Sequence, residues 1–388
     1  MVNSMSPIKI TTVLVDRANY GRLKPVLEVM RDDPSIELSL VCTGTMLLDR
    51  FGRAVELVKK DGFDVSEEIY VELEGSIPGT MAKSIGLTVI ELSNLFHRQS
   101  PDFVLLIGDR SEALGVAIAA VYQNFCLIHI QGGEVTGSID ESARHAITKL
   151  SHYHFPATRK AADNIKKMGE KEETIFALGC PSADMVFRSK GILNKKVISE
   201  NGVGPAINVS EDFVLVLFHP VTTEFSNAEQ QMEEVLYAVS QLNTQVMLIW
   251  PNIDAGSDGV SQAIRRFREN NSDIKFHAYK NFEAEDYIPI LQNTLCAVGN
   301  SSSFIRDASF IGTPVVLVGS RQDGRERSDS VIRVEAKKDE ILFAIKKQIS
   351  HGKYDKEHIY GKEGVSYNIV KKIKELKIYT QKKLSYEN

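Results

Sequence analysis

The chain has 388 residues, 43% hydrophobic and 25% charged, which excludes a largely disordered protein and suits two domains better than one core. Its 46 basic and 51 acidic residues leave a net charge of −5, which argues against an electrostatic grip on nucleic acid. The N-terminus does not read as a secretory signal, no apolar run approaches the ~20 residues of a membrane helix, and Cys42, Cys126, Cys180 and Cys296 form no C-x-x-C pair. The expectation is a cytoplasmic protein with reduced thiols, no nucleic-acid or membrane partner and no metal site.

Short apolar runs alternate with segments of helical period. Lys9–Val15 reads as a strand and Leu23–Met30 as the helix after it. Glu37–Cys42 and Phe103–Ile107 are further strands, and a helix over Glu112–Tyr122 leads to the strand Cys126–Ile130. Helices follow near Asp140–Leu150 and Lys160–Met168. Such alternation predicts βαβ units and a parallel sheet covered by helices. Ser189–Asn208 is polar and loses the period. It restarts with strands at Phe213–Phe218, Val246–Trp250, Ile274–His277, Leu295–Val298 and Val315–Val318, with helices between them. The expected class is α/β, with two Rossmann-like domains facing a central cleft. Expected boundaries are 1–188, a connector at 189–208, a second domain at 209–365, and a C-terminal helix at 366–388. The basic, amphipathic stretch Lys371–Lys383 is read as that last helix.

In open parallel sheets, ligands bind beyond the carboxyl ends of the strands. Seven predicted strands run into polar, glycine-bearing segments there: Arg17–Gly21, Gly108–Arg110, Gln131–Glu134, His219–Pro220, Pro251–Asp254, Gly299–Ser303 and Gly319–Gln322. Gly299-Asn300-Ser301-Ser302-Ser303 precedes a helix, and its glycine, hydroxyls and helix N-terminus suit a diphosphate as well as plain N-capping. No G-x-G-x-x-G or G-x-x-x-x-G-K-[ST] is present, which weighs against a nicotinamide enzyme or a P-loop ATPase. Asp109 leaves an apolar strand directly, and Arg110 beside it pairs with that carboxylate or contacts substrate. Ser138-Ile139-Asp140-Glu141 fits a capping box, with Arg144 placed to pair with Asp140 four residues on. His145, His152 and His154 lack metal-ligand spacing. His219, at a strand end, is the better functional histidine.

Taken together, these segments resemble the hydrolysing UDP-N-acetylglucosamine 2-epimerases of sialic-acid and related nonulosonic-acid pathways. The likeness is carried by Gly132-Gly133-Glu134-Val135-Thr136-Gly137-Ser138-Ile139-Asp140-Glu141-Ser142 continuing to Leu150, by Gly108-Asp109-Arg110, and by His219-Pro220-Val221-Thr222-Thr223. Pro251-Asn252-Ile253-Asp254-Ala255-Gly256-Ser257, Gly299-Asn300-Ser301-Ser302 and Gly312-Thr313-Pro314 extend it from about residue 8 to about 384. The resemblance implies a glycosyltransferase-B-type fold, a UDP-sugar substrate, no cofactor, and a homodimer or homotetramer. It implies conversion of UDP-N-acetylglucosamine to UDP and N-acetylmannosamine. A base removes the C2 proton as UDP leaves C1, and water then adds to the 2-acetamidoglucal while C2 is reprotonated on the other face. By position, Asp109 and Asp140 match acid/base residues and Glu134 is a further carboxylate, while His219, counted with the catalytic residues, matches a position that holds the nucleotide. Which carboxylate is base and which is acid stays open. Arg17, Arg110, Gln131, Arg144, Asn252, Gly299, Ser301, Ser302 and Arg321 fall at substrate positions, and Asp307 where the ribose diol is bound.

Four residues depart from the pattern. Gln131 stands where a glutamate is common, Met46 where a histidine is common, Asn19 replaces an aspartate, and Asp307 replaces a glutamate. They point to a divergent subgroup, so a UDP- or GDP-linked 2,4-diacetamido-2,4,6-trideoxy sugar of the legionaminic-acid type is the alternative substrate. A non-hydrolysing epimerase and a nucleotide-sugar-binding protein without catalysis are the remaining readings.

Overall fold

The computed structural model describes residues 6–74, 77–251, 254–271 and 274–385, which divide into two compact units. The first comprises residues 1–134, 140–184 and 361–388, and the second 135–139 and 185–360. Each contains one six-stranded, wholly parallel sheet. The strands of the first are β1 (Ile8–Leu14), β2 (Ile36–Thr43), β3 (Val65–Ile69), β4 (Phe103–Ile107), β5 (Cys126–Ile130) and β6 (Tyr153–Phe155), in the spatial order 3-2-1-4-5-6. In the second unit they are β7 (Phe213–Leu217), β8 (Gln245–Ile249), β9 (Phe276–Tyr279), β10 (Cys296–Gly299), β11 (Val315–Val318) and β12 (Val331–Val334). Their order, 9-8-7-10-11-12, is the same pattern. These are two Rossmann-like sheets, and in each the order reverses between the first and fourth strands, the place where such sheets bind ligands.

The central strands are buried on both faces, so they read as continuous Val, Leu and Ile. In the first unit Val104, Leu106 and Leu127 pack against Leu92, Phe96, Val116 and Ile147 of the covering helices. Each such side chain contributes about 1.5–3 kcal/mol of burial. Gly115 lets helix Ser111–Tyr122 lie close to helix Pro78–Gln99: a Cβ there would come 2.9 Å from the Ile85 carbonyl oxygen. The second core is built alike, from Val214, Val216, Leu248 and Val298 against Leu236, Ile264 and Ile345.

The C-terminus departs from expectation. Helix Val365–Ile373 packs beside helix Arg17–Arg31, but the helix predicted to run to Lys383 stops at Ile373. Residues 374–385 instead lie along the edge of the first sheet, held by bonds that a helix would not offer. Tyr153 Oη donates to the Lys377 carbonyl (2.7 Å), Tyr379 Oη donates to that of His152 (2.9 Å), and Ser385 N donates to that of Gly169 (2.8 Å). Lys382 Nζ caps helix Asp140–Leu150 through the carbonyls of Thr148 and Lys149 (3.2 and 2.7 Å).

Lys382 also meets the buried carboxylate of Glu170 at 2.6 Å, which takes Lys149 at 2.6 Å and His154 Nε2 at 3.3 Å. Burial resists ionisation of Glu170, but the hydrogen bonds from His154, Lys149 and Lys382 outweigh it and bring its carboxyl down to about 2. A carboxylate depressed in the folded state stabilises above its unfolded value of about 4.3, and that stabilisation fades as the pH falls toward 2. Glu170→Gln is therefore expected to lower stability near pH 7, with the gap to wild type closing between about pH 5 and pH 2. Urea midpoints across that range check it; a gap independent of pH would contradict it.

Candidate active site

The first unit gathers its charged residues where β1, β4 and β5 end. β1 runs into Asp16, whose Oδ1 accepts from Asn19 N at 2.6 Å and caps helix Arg17–Arg31. Burial pushes the Asp16 carboxyl up, against the pull of Arg110 and Arg22. Arg110 faces Asp16 (3.7 Å) and Glu112 (3.3 Å). Burial opposes ionisation of Glu112, yet Arg110 and a hydrogen bond from Glu72 hold its carboxyl low. The partner Glu72 is pushed up to about 8 by burial and by the Glu112 charge. This carboxyl pair was not foreseen, because Glu72 lies outside every motif.

β4 ends at Ile107, and Gly108 turns with φ +82° to present Asp109. Asp109 forms an ion pair with Arg144, which is 1% exposed and also donates to the Glu134 carbonyl at 2.6 Å. One guanidinium on helix Asp140–Leu150 thus ties together the two segments that carry Asp109 and Glu134. Arg144, expected at substrate, is engaged by the protein itself. Glu134 is buried, while Asp140 and Glu141 open their helix in its first turn. Gly133 must be glycine: its φ is +77°, and a Cβ would fall 2.2 Å from the Ala161 carbonyl oxygen.

Gln131 follows β5 with φ +65° and is wholly buried. Its Oε1 accepts from Arg22 Nη1 (3.1 Å) and its Nε2 donates to Cys180 Sγ (2.8 Å). Arg22 also donates through Nη2 to Asn19 Oδ1 and through Nε to the Ala18 carbonyl (3.2 Å). Two of the four departures from the family pattern, Asn19 and Gln131, are therefore the neutral partners of one guanidinium. Arg22 was missed, since it sits inside a helix rather than at a strand end. Met46, the third departure, is fully buried.

In the second unit the reversal lies between β7 and β10. Asn300 clips the two loops: its Oδ1 accepts from His219 N (2.7 Å) and its Nδ2 donates to the His219 carbonyl (2.8 Å). Arg321 Nη1 (3.5 Å) and Gln322 Nε2 (2.9 Å) donate to the Asn300 carbonyl, and Arg321 also faces Asp254 at 3.6 Å. At Gly299 a Cβ would lie 2.1 Å from the Leu217 carbonyl oxygen, so this turn also demands glycine. Ser301 Oγ meets Ser303 Oγ at 2.9 Å, which in turn meets Tyr287 Oη at 2.5 Å, at the start of helix Ser303–Ile311. Asp307 lies on that helix and is buried. Residues 135–139, the middle of the long glycine-rich motif, belong to this unit, with Gly137 N donating to the Arg321 carbonyl at 3.2 Å. Arg17 lies in the first turn of its helix, and Asn252 is outside the described residues.

Residues 28–374 match the UDP-N-acetylglucosamine 2-epimerase family. The chain belongs to it. This epimerase chain is 35% identical over 373 residues to the hydrolysing UDP-N,N'-diacetylbacillosamine 2-epimerase of Legionella pneumophila, covering 96% of this chain and 97% of that one. It is 31% identical to the UDP-N-acetylglucosamine 2-epimerase of Neisseria meningitidis, over 89% of each chain. A crystal structure of UDP-N-acetylglucosamine 2-epimerase from Neisseria meningitidis bound to its namesake sugar nucleotide shares the fold, with a TM-score of 0.78 at 16% identity over 95% of this chain and 100% of that one. No helix among the described residues is long and apolar enough to cross a membrane.

Proposed function

We propose that this epimerase is of the hydrolysing type and acts on a UDP-linked 2,4-diacetamido-2,4,6-trideoxy hexose, releasing UDP and the free 2-epimerised sugar. The observation that carries the reading is the 35% identity, end to end, with the Legionella enzyme of that activity. It favours the diacetamido sugar over the N-acetylglucosamine first expected.

In this reading, removal of the C2 proton and departure of UDP from C1 leave a 2-acetamido glycal. Water adds at C1, and a proton returns to C2 from the opposite face. Asp109 and Glu134, in the turns after β4 and β5, and Asp140, at the start of helix Asp140–Leu150, carry the proton transfers, and His219, after β7, is a further catalytic candidate. In the second unit, Gly299, Ser301, Ser302 and Arg321 are assigned to the departing diphosphate and Asp307 to the ribose. Arg110 and Arg144 act on carboxylates of the site, and Gln131 engages Arg22.

Proton NMR in D2O with UDP-N,N'-diacetylbacillosamine, its GDP-linked counterpart and UDP-N-acetylglucosamine tests this. Free UDP with a C2-deuterated diacetamido sugar is expected, at least about tenfold faster than with UDP-N-acetylglucosamine. Preference for UDP-N-acetylglucosamine, or build-up of a UDP-linked 2-epimer, would overturn it.

A further inference from the structure

β5 reads Cys-Leu-Ile-His-Ile, and in a strand buried on both faces the histidine is out of place. His129 is completely buried. Its Nε2 lies 2.8 Å from the Gly108 carbonyl oxygen and its Nδ1 lies 3.2 Å from Thr148 Oγ1. A carbonyl can only accept, so Nε2 carries the hydrogen. In the neutral ring Nδ1 is then the acceptor and the Thr148 hydroxyl the donor. Burial is the largest influence on the ring and brings it down to about 3, opposed by the Gly108 carbonyl and Asp109 and reinforced by His154 and Arg144. Burial thus holds the imidazole in its neutral form well below the ordinary histidine range.

Three segments converge on this one ring. Gly108, whose carbonyl it holds, precedes Asp109. Thr148 lies on the helix that carries Asp140 and Arg144. Gly132, two residues before Glu134, packs so closely that a Cβ would stand 2.9 Å from His129 Nδ1 and 2.7 Å from Thr148 Oγ1. Each carboxylate assigned to proton transfer thus sits on a segment that touches His129 or its hydroxyl partner.

We propose that His129 is the positioning residue of the site, a neutral Nε2–H imidazole that sets the Asp109 turn, the Glu134 turn and the Asp140 helix in one mutual arrangement. The proposal rests on the reading of those three carboxylates as the proton-transfer groups. Misplacing reacting groups by about 1 Å costs on the order of 10²-fold in rate without weakening contacts made elsewhere.

The test compares His129→Leu, His129→Gln and Thr148→Val with wild type, using the donor turned over fastest in the NMR assay and the affinity for UDP by calorimetry. His129→Leu is expected to lower kcat by about 10²-fold with UDP affinity changed less than about threefold. His129→Gln, whose amide can still donate to the Gly108 carbonyl, recovers about tenfold or more of that loss. Thr148→Val lowers kcat less than His129→Leu does, and also spares UDP affinity. Where the leucine variant fails to fold, the glutamine and valine variants carry the same comparison. Near-normal kcat in a folded His129→Leu, or a fall in UDP affinity that tracks kcat through the series, would overturn the proposal. Asp109→Asn separates this from the reading beneath it. An inactive Asp109→Asn beside an active His129→Leu removes only the role of His129, whereas an active Asp109→Asn removes the assignment of the carboxylates.

Discussion

Asp109→Asn is expected to lower turnover and deuterium incorporation at C2 by about 10²–10⁴-fold, the usual range for losing a proton-transfer group. The amide removes the ionisable oxygen but keeps one acceptor for Arg144, so the turn after β4 stays in place. UDP affinity should therefore stay close to wild type, because the diphosphate is assigned to groups on other segments. Single-turnover NMR in D2O and calorimetry with UDP report the two halves of this expectation. Turnover near the wild-type rate would remove Asp109 from the chemistry, and a large loss of UDP affinity would mark it as a nucleotide contact.

Arg144→Leu should have the largest effect on stability. The side chain is 1% exposed and satisfies both the Asp109 carboxylate and the Glu134 carbonyl. Leucine removes the guanidinium that bridges this carboxylate and carbonyl, and breaking a buried pair from one side costs about 3–5 kcal/mol. With two units in the chain a single unfolding transition is not guaranteed, so amide exchange in helix Asp140–Leu150 is the direct measure. Exchange there should quicken sharply while helix Ser303–Ile311 in the other unit is unaffected. Protection unchanged from wild type would contradict the buried pair. Activity should fall with stability, since both turns lose their common tie.

The strands that could be read without coordinates are the ones buried on both faces. Phe103–Ile107, Cys126–Ile130 and Val315–Val318 were placed residue for residue as β4, β5 and β11. The strands that were missed, Val65–Ile69, Tyr153–Phe155 and Val331–Val334, are all sheet edges. β3 and β12 are only partly buried, and β6 is three residues long, so neither an apolar run nor a clear alternation marks them. The predicted helix at Lys371–Lys383 failed for a related reason. Its lysines and tyrosines keep a helical spacing, but Tyr379 and Lys382 are spent on groups of the first sheet's edge. The polar stretch read as a connector likewise holds a helix, Lys195–Glu200, started by an Asn194 cap.

What the sequence could show of the candidate site was where residues that follow strands stand: Asp109, Glu134, His219 and the serines, because topology alone brings such positions to one end of a sheet. It could not show what each side chain bonds. Arg110 meets Asp16 and Glu112, Arg144 meets Asp109, and Gln131 bonds Arg22 and Cys180. Arg22 and His129 lie within regular elements, away from such positions. The usable signal for His129 was a polar ring inside an otherwise apolar strand.

The shared strand order makes the two sheets comparable position by position. The fourth strand of each order leads to a positive-φ glycine, Gly108 in one and Gly299 in the other, and each glycine hands on to a short polar side chain. In one sheet that side chain is an aspartate bound to a guanidinium. In the other it is an asparagine that sutures its own two loops. The same architectural slot therefore holds an ion-paired carboxylate once and a bracing amide once.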